Sequence, residues 1–141
     1  MKKFKIFNQK KGFTLLELLI VISIIGVLVA LGTVSYSTAQ KKSRDSRRKM
    51  DMKNIQTAME SYYAQNGSYP TATTNLTDKF SGNSLPKDPK TGVDYSYGLS
   101  AAGYCVCSTM EIAGSGNAKG ITGGFACDYS NQISFCVQNL Q

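Results

Sequence analysis

The chain has 141 residues, room for one small domain and little more. It contains no histidine, which removes the commonest general base and a principal metal ligand, and no nucleophile, base and oxyanion constellation marks it as an enzyme. Its formal charge of +7 is uneven, with +5 on residues 1–12, −1 on 13–40, +4 on 41–60 and −1 on 61–141, which argues against a nucleic-acid-binding face on the C-terminal half.

The chain begins with a basic segment, Lys2, Lys3, Lys5, Lys10 and Lys11, that ends at Gly12. From Phe13 to Val34 it is almost wholly apolar. As a helix those residues would run for about 33 Å, enough to cross the hydrocarbon core of a bilayer. Glu17 is the only charged residue between positions 13 and 40. A carboxylate at the bilayer centre costs roughly 2.5–3.5 kcal/mol, so one that is kept usually has a partner and a task. Gly26 and Gly32 are the only helix-weakening residues in this stretch.

The helical pattern continues past the apolar run. No proline or glycine occurs from Ser37 to Gln65, and Met52, Ile55, Met59 and Tyr62 recur at steps of three and four, the mark of one apolar helical face. Asp45 with Lys49, and Arg47 with Asp51, have the spacing of i,i+4 pairs on the solvent side. Asn66-Gly67 supplies a stop, because glycine readily takes the left-handed conformation a helix end needs. Tyr69-Pro70 opens a different texture, rich in Thr, Ser, Asn and Gly. Residues 71–92 are expected to be loop, with a single helical turn near Leu76–Phe80.

Three short runs then alternate with period two: Val93–Tyr97, Tyr104–Cys107 with its flanks, and Ile133–Val137. Gly114–Asn117 and Gly123-Gly124 read as turns. The expected fold class is α+β, a long N-terminal helix packed through its Met52–Tyr63 face on a small antiparallel sheet. Tyr62, Tyr63, Tyr95, Tyr97 and Tyr104 are expected to fill the core and interfaces of that head.

A core this small calls for staples, and Cys105, Cys107, Cys127 and Cys136 are placed to provide them. Cys105 and Cys107, two apart on a strand, face the same way, and a bridge between them is disfavoured by geometry. Two disulfides are expected, each joining one of that pair to Cys127 or Cys136, with the connectivity open. The rival, a four-cysteine metal site, is weakened by the Cys-x-Cys spacing, so no metal and no cofactor is expected. Asp88, Asp94 and Asp128 lack the spacing of an EF-hand calcium loop. Asn66-Gly67-Ser68 and Asn75-Leu76-Thr77 match the glycosylation sequon, a pattern that arises often by chance.

Lys11-Gly12-Phe13-Thr14-Leu15-Leu16-Glu17 resembles the processing site of the type IV pilin and pseudopilin family. A second patch resembles the family's major pseudopilins and related pilins: Ala58–Tyr63, Asn66–Pro70, Leu85–Pro89 and Tyr95–Tyr97. Together these span residues 1–97, and the cysteine-bearing remainder matches only in general character. Val34 stands where many members of the family have a proline.

The resemblance implies cleavage by a prepilin peptidase after Gly12, methylation of the new N-terminal residue Phe13, and assembly through Glu17. Glu17 would pair with its own terminal amine or with that of a neighbouring subunit. The implied organisation is a leader over 1–12, a transmembrane and assembly helix over 13–36, an amphipathic helix of the head over 37–66, and a disulfide-stapled head over 67–141. The implied partners are further copies of the chain in a filament, other pilins or pseudopilins, the peptidase, and the assembly platform of the inner membrane. The chain would sit as a single-pass protein of the cytoplasmic membrane with its head outside, then pass into a pilus or pseudopilus. The cytoplasmic placement of the N-terminus follows from the resemblance alone, because seven basic residues after the span offset the five before it.

The expected function is therefore that of a structural prepilin of a type IV pilus-like filament. The alternatives are a type II secretion pseudopilin acting in protein export, and a membrane-tethered minor pilin binding DNA or a surface. The DNA reading would draw on Arg44, Arg47 and Arg48 within the basic stretch 41–53. An ordinary secretory signal cut near Ser37-Thr38-Ala39 is a further rival, opposed by the length of the apolar run and by Glu17 within it.

Overall fold

The structure is a computed structural model and describes residues 12–140. Except for Gly12, the expected leader lies outside the described residues. The chain divides into two compact units, Met1–Thr38 and Ala39–Gln141. One helix, α1 (Leu15–Asn66), contributes to both.

In the first unit α1 is membrane-like throughout. It contains a window of mean hydropathy 2.8, none of it buried within the chain, so the helix is long and apolar enough to cross a membrane. Its few polar side chains turn back on their own backbone. The Ser23 hydroxyl donates to the Ile20 carbonyl at 2.8 Å and the Thr33 hydroxyl to the Ala30 carbonyl at 3.0 Å. Polar groups satisfied inside one helix need no water, which is what a lipid-facing helix requires. The helix runs through Gly26 and Gly32 without interruption.

The second unit is the head. Here α1 buries Met52, Ile55, Ala58 and Met59, the expected apolar stripe, with Tyr62 and Tyr63 at its margin. The helix ends where the sequence predicts. Gly67 sits at φ +72° and donates its N–H to the Tyr63 carbonyl at 2.8 Å. A short 3-10 helix, Thr73–Lys79, follows and begins three residues before the expected turn; it plugs Leu76 into the core.

Five strands complete the head: β1 (Ser96–Ser100), β2 (Gly103–Thr109), β3 (Gly120–Thr122), β4 (Ala126–Asp128) and β5 (Ser134–Gln138). β1, β2 and β5 form an antiparallel sheet with β2 in the centre. The first strand begins three residues later than the pattern suggests. Tyr95 is held before it by its hydroxyl, which donates to Asp51 at 2.7 Å, and Asp94 bridges to Lys87.

β2 is covered on both sides, and the period of two along it explains how. Tyr104 and Val106, with Val137 of β5, face the helix and join its apolar stripe in one core. Cys105 and Cys107, with Cys136 of β5, face the opposite way. That second face is covered by the β3–β4 hairpin, which the sequence reading missed: it took Gly123-Gly124 as a turn but not its flanks as strands. The hairpin packs closely over β1. A Cβ on Gly98 would lie 2.8 Å from Ile121 Cγ2 and 2.9 Å from Phe125 Cα, with the Gly124 carbonyl oxygen nearer still.

Candidate functional site

At the N-terminal end, Gly12, Phe13 and Thr14 precede the helix in non-helical backbone. Nothing lies within 4 Å of where a Gly12 side chain would begin, and Phe13 is 86% exposed. Thr14 occupies the cap position. Its hydroxyl accepts the Glu17 N–H at 3.1 Å, while Glu17 Oε2 accepts the Thr14 N–H at 3.0 Å and the Thr14 hydroxyl at 2.9 Å. This is a reciprocal capping box, Thr-x-x-Glu. Its carboxylate also lies at the positive end of the helix dipole. The sequence reading assigned Glu17 only to a terminal amine and overlooked this cap, although the spacing of Thr14-Leu15-Leu16-Glu17 announces it.

Around this motif the surface is a continuous apolar stem. Leu15, Leu16, Leu18, Leu19 and the Ile and Val residues up to Leu31 are all exposed. Exposed apolar area of this extent has to be covered, by lipid, by other chains or by both.

In the head, the basic stretch 41–53 is only partly the solvated face the spacing suggested: Lys41, Lys42, Arg47 and Lys53 are exposed, but Asp45 and Arg48 are buried. Asp45 is buried and does not pair with Lys49. Its carboxylate accepts the N–H groups of Glu111 at 3.0 Å and Ile112 at 2.9 Å, and pairs with Arg48 at 2.7 Å. Lys49 instead lies 5.4 Å over the Phe135 ring. Asp51 accepts the Tyr95 hydroxyl, so the expected Arg47–Asp51 pairing also gives way to a tertiary contact.

Arg48, with a side chain only 3% exposed, bonds Asp88 through Nε at 2.6 Å and Glu111 through Nη1 at 2.9 Å. Arg44 makes a two-pronged pair with Glu111, at 2.6 and 2.7 Å. The Arg48 guanidinium, with the N–H groups of Thr91 and Lys90, holds the Asp88 carboxyl far below the usual carboxylate range, and Arg44 does the same for Glu111. Burial alone would raise Asp45, yet the two backbone donors and Arg48 outweigh it and leave the group lowered. Arg44 and Arg48 are therefore spent inside the head and are not free to meet a DNA backbone. Asp88 is spent in the same way and is not open to a calcium ion.

A second polar cluster organises the other end of the head. Glu60 accepts the Tyr104 hydroxyl at 2.9 Å, the Tyr69 hydroxyl at 3.0 Å and the Leu140 N–H at 3.2 Å. Burial and this carboxylate push the Tyr69 hydroxyl up to about 12 and raise Tyr104 as well. Two separate disulfides, Cys105–Cys127 and Cys107–Cys136, staple the hairpin and β5 to the central strand.

An apolar helix behind an exposed Gly–Phe junction, carrying a disulfide-stapled head, defines a class: prokaryotic proteins with an N-terminal methylation motif. The family of that description, Prokaryotic N-terminal methylation motif, matches residues 7–33. The major type IV pilin protein PilA of Myxococcus xanthus is 33% identical over 97 residues, 68% of this chain and 40% of that protein. The type II secretion system core protein G of Pseudomonas aeruginosa is 32% identical over 84 residues, 57% of this chain and 59% of that protein. The fimbrial protein EcpB of Eikenella corrodens is 41% identical over 59 residues, 42% of this chain and 37% of that protein. The chain thus spans between about two fifths and three fifths of these relatives' lengths. No solved structure matches it. The chain thus carries the N-terminal methylation motif and is similar to type IV pilins and to the type II secretion core protein G.

Proposed function

We propose that this chain is a structural prepilin, an enzyme's substrate rather than an enzyme. A prepilin peptidase cuts after Gly12 and methylates Phe13, and the mature subunit polymerises through its apolar stem into a type IV pilus-like filament. The single observation that carries this reading is the exposed Gly12–Phe13 junction ahead of a lipid-length helix with one acid, Glu17, in its first turn. An enzyme has open access to an exposed junction outside the helix. The subunit waits in the cytoplasmic membrane with its head outside, and copies of itself, other pilins and the assembly platform are its partners.

In the filament, Glu17 exchanges part of its Thr14 cap for the amine of a neighbouring Phe13. Apolar packing supplies adhesion, and the ion pair sets the axial step, because an uncompensated buried charge is heavily penalised. A second reading, a type II secretion pseudopilin, is favoured by the likeness to core protein G across more than half of both chains. The DNA-binding alternative would draw on the exposed Lys41, Lys42, Arg47 and Lys53, since Arg44 and Arg48 pair with Asp45, Asp88 and Glu111.

The test compares Glu17→Ala with Glu17→Gln. The glutamine keeps an acceptor for Thr14 and removes only the charge. Both variants are expected to insert in the membrane at normal levels and to yield few filaments by electron microscopy. Wild-type filament numbers from Glu17→Gln would overturn the ion-pair role.

A further inference from the structure

We infer that the head, when its cysteines are reduced, is a preformed tetrathiolate site for one zinc ion. The four Sγ atoms of Cys105, Cys107, Cys127 and Cys136 all lie within 4.8 Å of one another, and those of Cys105 and Cys107, which are not bonded to each other, are 3.5 Å apart. Zinc–thiolate bonds of about 2.3 Å set tetrahedral sulfur–sulfur edges of about 3.8 Å. Breaking both S–S bonds lets each bonded pair open toward that edge, while the wider separations close by about an ångström, movements within reach of side-chain rotation.

Backbone pairing, not the disulfides, holds most of this arrangement. Cys107 stands directly opposite Cys136 in the β2–β5 register, and Cys105 lies two residues along β2 on the same face. Three of the four sulfurs therefore stay together for as long as the three-stranded sheet survives. The fourth, on Cys127, comes from the β3–β4 hairpin. That hairpin is held independently: the Lys119 N–H donates to the Asp128 carbonyl, Ala118 pairs with Ser134, and Gly98 seats it on β1. The apolar core around Met52, Ile55, Met59 and Tyr104 lies on the other side of the sheet and contains no cysteine. Reduction leaves it packed.

The Cys-x-Cys spacing departs from the usual knuckle, but that knuckle belongs to ligands presented by a turn. Here a β-strand presents Cys105 and Cys107 on one face at two-residue spacing. The chemistry balances simply. Each disulfide takes two electrons and two protons from a dithiol, which becomes a disulfide in turn, and zinc then displaces the four thiol protons to solvent. The thiol form exists wherever the head has yet to meet an oxidising compartment.

The experiment uses the full chain in detergent micelles, reduced without air and freed of reductant. Cobalt(II) is added as a spectroscopic stand-in, followed by zinc. One cobalt per chain is expected, with thiolate charge-transfer bands in the near ultraviolet and intense tetrahedral bands in the visible, bleached by one equivalent of zinc. The zinc-loaded chain should regain the near-ultraviolet circular dichroism of the oxidised chain. Cys127→Ser should lose about a quarter of the charge-transfer intensity, as one thiolate of four is removed. The inference fails if the reduced chain gives no tetrahedral bands, if stoichiometry departs from one, or if the oxidised chain binds equally. It fails also if metal binds while the dichroism stays that of an unfolded head, because the fold would then not be what builds the site.

Discussion

Arg48 ties α1 to two loops of the head. It sits on α1 with three carboxylates around it, from Asp45 on its own helix and from Asp88 and Glu111 on two separate loops. Removing the guanidinium takes the ion pair from buried Asp45 and from Asp88, and breaking a buried pair by removing one partner costs about 3–5 kcal/mol. Arg48→Met should therefore lower the denaturation free energy of the head by that amount, read from the tyrosine near-ultraviolet signal against urea. Arg47→Ala, one position away and exposed, should stay within about 0.5 kcal/mol of the native chain. Equal effects from the two would show that the basic stretch is only a charged surface. Both arginines look alike in sequence, where the pattern of neighbours suggested solvent-side pairs for the whole stretch. The difference arises because Asp45 and Arg48 fall on the helix face that meets Asp88 and Glu111, partners 40 and 63 residues from Arg48.

Among the elements, the β3–β4 hairpin is the one the sequence concealed. Its strands are three residues each, too short to show alternation, and only Gly123-Gly124 betrays the turn between them. Its place is set by tertiary fit. Gly98 on β1 has no side chain to interpose, so the hairpin backbone descends onto it and brings Cys127 to Cys105. Gly98→Ala should force the two apart, because the added methyl would meet backbone atoms of Gly124 and Phe125 that cannot yield cheaply. We expect faster amide exchange confined to residues 118–128, with the helix and the β2–β5 ladder still protected; unchanged exchange in that hairpin would disprove the seating. Long elements with strong periodicity were, by contrast, plain from the start. The 52-residue helix α1 was anticipated to within two residues at its start and one at its end, as its apolar stripe and glycine stop are local signals.

For the molecule as a whole, acid is a revealing stress. Asp88, Glu111 and Asp45 all have native carboxyls held below their ordinary range, the first two by Arg48 and Arg44, and Asp45 by backbone donors and Arg48 against its burial. A carboxyl lowered on folding contributes stability that is fully present above its unfolded value, about 4, and is lost as pH falls below that toward the native value. The urea midpoint of the head should therefore drop between pH 6 and pH 3, and Arg48→Met should flatten the dependence. A midpoint that held steady over that interval would mean the network contributes little.

Sequence alone encodes the stem, the end of the helix, the α+β class, the number of staples available and the capping box, although that last signal was passed over. Each of these is written in contacts that span a few residues: hydrophobic periods, a side chain reaching three positions back, a glycine able to turn left-handed. Only the tertiary structure decided which cysteines bond, which arginines are spent, and that a second hairpin covers the sheet. Those outcomes rest on groups 22 to 67 residues apart in the chain. No local pattern encodes such meetings; they follow from how the helix, loops and strands close on one another in three dimensions.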